Sequence, residues 1–152
     1  MNMQQYRLPL GWTAAFPADW NHEYDGQTDQ NIFYPADSDL TFRLTALHAE
    51  KEGVPAPASL METVFAKSVP EGCRVIEIPE LQVAGCTMLI RGRSYEEDSK
   101  TVSQICAGCF CNGELLTFNI FGTDPQQVYE GLAYLTLVQR TGCSNQTNQQ
   151  TQ

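Results

Sequence analysis

The sequence is short of positive charge. Nine lysines and arginines stand against eighteen aspartates and glutamates in 152 residues, a formal net charge of −9. Phosphate backbones need a basic face, so nucleic acid is not an expected ligand, and an anionic membrane surface is disfavoured for the same reason. Long apolar runs are also missing. No segment approaches the roughly 20 apolar residues that span a bilayer as a helix. No apolar stretch that could act as the core of a secretion signal follows Met1-Asn2-Met3-Gln4-Gln5-Tyr6-Arg7. The expectation is a cytoplasmic protein, with its six cysteines as reduced thiols.

Chemistry-bearing motifs are equally scarce. His22 and His48 are the only histidines, no serine sits in a Gly-x-Ser-x-Gly elbow, and Gly108, Gly113 and Gly122 form no phosphate loop. No group of ligands has metal spacing. No catalytic residue, cofactor or metal is therefore expected. What the chain does have is enough length for one domain with a sizeable core: at 17.0 kDa, about two-thirds of the unfolded surface is buried on folding.

The most informative stretch is Gly11-Trp12-Thr13-Ala14-Ala15-Phe16-Pro17-Ala18-Asp19-Trp20. Trp12, Ala14 and Phe16 alternate at strand spacing, and Pro17 ends the strand in a Pro-Ala-Asp turn. Further strands are expected at 31–34, 40–49, 73–78, 86–95, 101–111 and 114–121. Asn112-Gly113, between two apolar alternating runs, is a hairpin signal. Asp25-Gly26 marks a turn within a polar loop from Asn21 to Gln30. One helix is expected from Ser59, which forms a capping box with Glu62, to Pro70-Glu71-Gly72. A second begins at Asp124-Pro125, buries Val128, Leu132 and Leu135, is weakened by Gly131, and ends near Gly142. Residues 143–152 are polar throughout and read as a disordered tail behind a single domain over 1–142. The element order predicts an α+β fold, an antiparallel sheet of about six to seven strands flanked by two main helices.

Phe16-Pro17-Ala18-Asp19-Trp20, with this element order over residues 6 to 140, resembles the PsbP-like superfamily. That fold is shared by extrinsic proteins of photosystem II, a Ran-binding nuclear import factor and several small bacterial families. The resemblance implies an α/β/α sandwich. It also implies a role as an adaptor, an assembly factor or a chaperone for secreted effectors. It carries over no functional residue, because no Ran-binding or photosystem-specific motif matches.

Three groups of residues are candidates for function. Cys106-Ala107-Gly108-Cys109-Phe110-Cys111 invites a metal or redox reading. Strand alternation, however, puts Cys109 and Cys111 on one face and Cys106 on the other, so these cysteines are read as core residues. Arg91 and Arg93 share a strand face, where they could grip an anion or form a solvated surface. The loop from Trp20 to Gln30 brings Trp20, His22, Tyr24 and Asp25 together, and aromatic loop residues anchor protein interfaces. The expected binding residues are therefore Trp20, His22, Tyr24, Asp25, Arg91 and Arg93. The expected function is a non-enzymatic cytoplasmic interaction module, an adaptor, effector chaperone or immunity-type protein. Its partner is another protein with a basic surface, and its own state is a monomer or homodimer. The alternative is a small-molecule-binding protein or hydrolytic enzyme with a cleft near residues 21–30, using His22, Asp25 and the arginine pair.

Overall fold

The structure, a computed structural model, describes residues 2–48, 74–76, 87–111 and 114–140. The strands are β1 (Met3–Arg7), β2 (Trp12–Pro17), β3 (Asn21–Asp25), β4 (Gln30–Tyr34), β5 (Thr41–His48), β6 (Arg74–Ile76), β7 (Thr87–Glu97), β8 (Lys100–Cys111), β9 (Glu114–Gly122) and β10 (Gln139–Arg140). Two short helices, α1 (Pro125–Glu130) and α2 (Leu132–Leu135), precede β10. Seven strands form one antiparallel sheet in the order β3-β4-β5-β9-β8-β7-β6, and three form a second in the order β1-β2-β10. The helix expected over 59–70 and the tail over 143–152 lie outside the described residues, as does the Asn112-Gly113 turn.

The core lies between the two sheets. Trp12, Ala14 and Phe16 of β2 are fully buried, as the alternation requires. Phe16 meets the large sheet through Phe33 of β4 (ring centroids 4.3 Å, stacked), Phe42 of β5 (5.2 Å, edge-on) and Phe118 of β9 (6.4 Å). Leu44, Leu116, Ile120, Ile105, Ala107 and Cys109 continue the same face across β5, β9 and β8. Arg140 closes the small sheet opposite Trp12, with its guanidinium 6.0 Å from the indole ring.

Two strands expected as loop or left unassigned are β3 and β1. The segment 21–30 is a hairpin, with β3 paired to β4 from Asn21↔Tyr34 to Asp25↔Gln30. An Asx turn makes it: Asp25 Oδ1 accepts from Gln27 N at 3.0 Å. Met3–Arg7 carries an almost wholly exposed polar pattern with only Tyr6 half-buried, and it pairs with β2 along its length.

The last helix is also shorter than expected. Asp124 caps it as predicted, accepting from Gln126 N (3.0 Å) and Gln127 N (3.5 Å). At Gly131 it breaks into two pieces, and Gln139 belongs to β10 rather than to the helix. Gly131 has ordinary helical angles (φ −60°, ψ −20°), so no backbone strain demands glycine there. The reason is space: a Cβ would stand 2.8 Å from Phe42 Cζ and 3.1 Å from Ile120 Cγ2. Glycine lets the helical segment press onto the large sheet.

The cysteines need one correction. Cys106 and Cys109 are free and buried, but Cys111 is disulfide-bonded, with its partner outside the described residues. The reduced state expected of all six does not hold at Cys111.

Two effects oppose each other in Gly131→Ala. Helix propensity favours alanine by about 1 kcal/mol, whereas forcing a methyl into a packed core costs about 1–3 kcal/mol. The 2.8 Å approach to an aromatic ring decides for the clash. Urea denaturation is expected to show a net loss of stability, and a more stable variant would contradict the packing account.

Candidate functional site

Pro17 ends β2 and turns the chain through Ala18-Asp19, and Trp20 N donates back to Pro17 O at 3.0 Å. This corner sets the Trp20 ring against Phe16 (5.6 Å), Phe42 (5.4 Å) and Tyr134 of α2 (5.2 Å). Tyr134 is itself fixed by Phe16 at 5.4 Å and edge-on by Phe42 at 5.6 Å. Trp20 and Tyr134 are only partly buried, and they form the aromatic wall of a cleft of about 540 Å³ between the 35–40 loop and the helices. That volume falls within the roughly 300–1,000 Å³ of small-ligand sites.

The cleft has charge of one sign. Asp37 and Glu130 line it together with Gln127 and Leu137, and among the described residues no lysine, arginine or histidine does. Glu130 is oriented by Gln126, whose Nε2 donates to its Oε1 at 2.9 Å. Burial raises the Tyr134 hydroxyl pKa, and the nearby Asp19 carboxylate adds to the effect. Two carboxylates thus line the cleft, and a third, Asp19, acts on Tyr134.

Of the residues expected from the sequence, Trp20 alone lines this cleft. His22 stands on β3, stacked on Phe33 (4.5 Å, 7° between planes) beside Tyr6 (4.9 Å), with Nε2 2.9 Å from Asn31 Oδ1. It caps the edge of the aromatic core. Tyr24 is 58% exposed and donates to Asp29 Oδ1 at 2.6 Å, a bond that raises its pKa. Asp25, on the opposite strand face from His22, is tied into its turn, and the Gln27 amide holds its carboxyl below the usual range.

Arg91 and Arg93 lie on β7, five strands across the sheet from β3, or about 24 Å at ordinary strand spacing. They are not a solvated face. Arg93 is 2% exposed, donates from Nε to Gln104 Oε1 at 2.8 Å and lies over the Tyr95 ring at 5.9 Å. Arg91 is half-buried and donates to Ile90 O at 3.0 Å. His22, Asp25 and the arginine pair therefore share no position where a substrate could touch them all.

Tyr134, Asp37 and Glu130 were not legible as site residues. One signal was available: Gln127, Glu130, Tyr134 and Leu137 recur at helical spacing, forming a stripe beside the one that buries Val128, Leu132 and Leu135.

No protein-family model and no curated protein sequence matches the chain. Solved structures do match its shape. Cyanobacterial PsbP from Synechocystis sp. PCC 6803 superposes with a TM-score of 0.66 at 12% identity, covering 91% of this chain and 92% of that protein. A protein of Bacteroides thetaiotaomicron matches over 92% of this chain with a TM-score of 0.65 at 12% identity, and the chain spans 49% of its length. LpqN of Mycobacterium tuberculosis, involved in cell envelope biogenesis, matches with a TM-score of 0.56 at 17% identity, covering 90% of this chain and 88% of that one. The chain has a PsbP-like fold.

A further buried polar cluster lies on the sheet face away from the aromatic core. Cys106 donates from Sγ to Asn119 Oδ1 at 2.9 Å, and Gln104 Nε2 donates to the same oxygen at 3.2 Å. Burial pushes the Cys106 thiol from 9.0 up to about 11, against a smaller opposing pull from Arg93. A raised acid pKa means that the folded state holds the proton more tightly. The stabilisation is therefore complete below about pH 9 and is lost as pH rises through 11, by about 2–3 kcal/mol. Denaturation at stepped pH is expected to show this loss in the parent protein and a flatter profile in Cys106→Ala.

Proposed function

We propose that this chain is a non-enzymatic interaction module that holds another protein, one with a basic surface, at the cleft walled by Trp20 and Tyr134. An adaptor, a chaperone for a secreted effector and an immunity-type protein are its concrete forms. The observation that carries the reading is the lining of the cleft: rigidly held aromatic rings together with the carboxylates of Asp37 and Glu130. Partly exposed Trp and Tyr are the side chains that anchor interfaces, and a net charge of −9 steers a cationic partner toward them. Binding of a small molecule in the same cleft is a second reading, favoured by its volume.

An α/β/α sandwich, with two main helices flanking the large sheet, belongs to the same proposal, and the second sheet face is a covered one. Arg93, Cys106 and Thr117 are buried there, while Gly131, between the two short helices, packs against Phe42 and Ile120 on the other face. The cytoplasmic setting is the element that the Cys111 disulfide weighs against, because disulfides persist in oxidising compartments and are rare where thiols are kept reduced.

Two measurements test these points. Immobilised protein incubated with extract of its native cells is expected to retain a partner that elutes as salt rises from ~0.1 to ~0.5 M, where surface charge is screened. Asp37→Asn with Glu130→Gln is expected to retain less. Equal capture by this variant, or none by the parent, would sink the interaction reading. Lysing the native cells into denaturant with an alkylating agent and no reductant, followed by mass spectrometry, is expected to leave Cys111 unmodified. A fully alkylated Cys111 would restore the cytoplasmic setting.

A further inference from the structure

The cleft is specific enough in its chemistry to name what enters it. Its aromatic wall consists of two rings 5.2 Å apart and tilted by 58°, both immobilised from behind by Phe16 and Phe42. Aromatic faces attract cations, and they do so more strongly where water is partly excluded. The acidic rim comes from two separate elements, Asp37 from the loop after β4 and Glu130 from the end of α1. Leu137, 43% exposed, extends the apolar floor outward, which suits an aliphatic stem entering from solvent.

Among cationic groups the guanidinium fits these features best. It is planar, weakly hydrated, stacks on aromatic rings and presents forked donors to carboxylates. An ammonium is a compact, strongly hydrated charge that uses the flat walls less well.

Resting on the interaction reading above, we infer that the cleft is a socket for one arginine side chain of the partner protein, its guanidinium against Trp20 and Tyr134 and its charge between Asp37 and Glu130. The arginine is the anchor of the complex. The rest of the interface is complementarity around it, as is usual where one buried side chain dominates binding.

The test uses the whole chain and capped pentapeptides with a central arginine or its uncharged isostere citrulline, with methylguanidinium as a third probe. The readout is the indole N–H resonance of Trp20, with that of fully buried Trp12 as an internal reference. The arginine peptide is expected to move the Trp20 signal and leave Trp12 in place, and to bind at least about tenfold more tightly than the citrulline peptide. Asp37→Asn with Glu130→Gln, both on the rim, is expected to remove that preference without unfolding the protein. Equal binding of the two peptides, or an undiminished preference in the variant, overturns the socket. Methylguanidinium binding as tightly as the peptide also overturns it, in favour of a small-molecule site. Arginine preference without any captured partner supports the socket and overturns the interaction reading on which it rests, so the two fail separately.

Discussion

Phe16 carries the contact between the two sheets. One ring touches β4, β5 and β9 of the large sheet and α2 beside it. The strand that bears it has only a short two-residue partner on one side and a polar strand on the other. Its own hydrogen bonds therefore do not define where the small sheet sits. Stacking of Phe16 into Phe33, Phe42 and Phe118 does. The Pro17 corner follows directly, and it delivers Trp20 three residues later to the outer margin of the same aromatic cluster.

The cleft is a consequence of where that cluster runs out. Phe16, Phe33 and Phe42 are fully buried, whereas Trp20 and Tyr134 are the members left at the surface. Because both rings are packed from behind, the cleft is preorganised, and little rotamer entropy remains to be lost when something enters it. Gly131 contributes by letting the helical segment approach Phe42 so closely that Tyr134 and Trp20 come within ring contact. The acidic rim is independent of the core. It comes from exposed loop and helix positions, and its substitution separates recognition from folding.

The apolar half of this architecture was legible from residue order. Alternation fixed β2, β5, β8 and β9 to within a residue or two, and Asp124-Pro125 fixed the start of α1, because in each case burial or capping demands a particular residue type. Polar elements were not legible. Asn21–Asp25 and Met3–Arg7 have no apolar face, and they are strands only because a turn or a neighbouring strand supplies their partner. Alternation alone cannot tell a solvated face from a covered one, and Arg93 is covered. The candidate site was half visible: Trp20 stood out, while Tyr134, more than a hundred residues later, meets it only through the tertiary fold.

The pairing of Trp12 with Arg140 has a consequence for synthesis of the chain. At ribosomal rates of roughly 5–20 residues per second, β2 leaves the ribosome about 6–26 s before the strand that completes its sheet. During that interval it can pair with β1, but its other edge and its apolar face, Trp12, Ala14 and Phe16, wait for segments not yet made. The pairing of β5 with β9 imposes a shorter delay on the large sheet. Neither sheet can therefore close until these late strands have been made. Protection of the early aromatic strand falls to the polar flanks around it or to a holding factor, until the last described residues arrive.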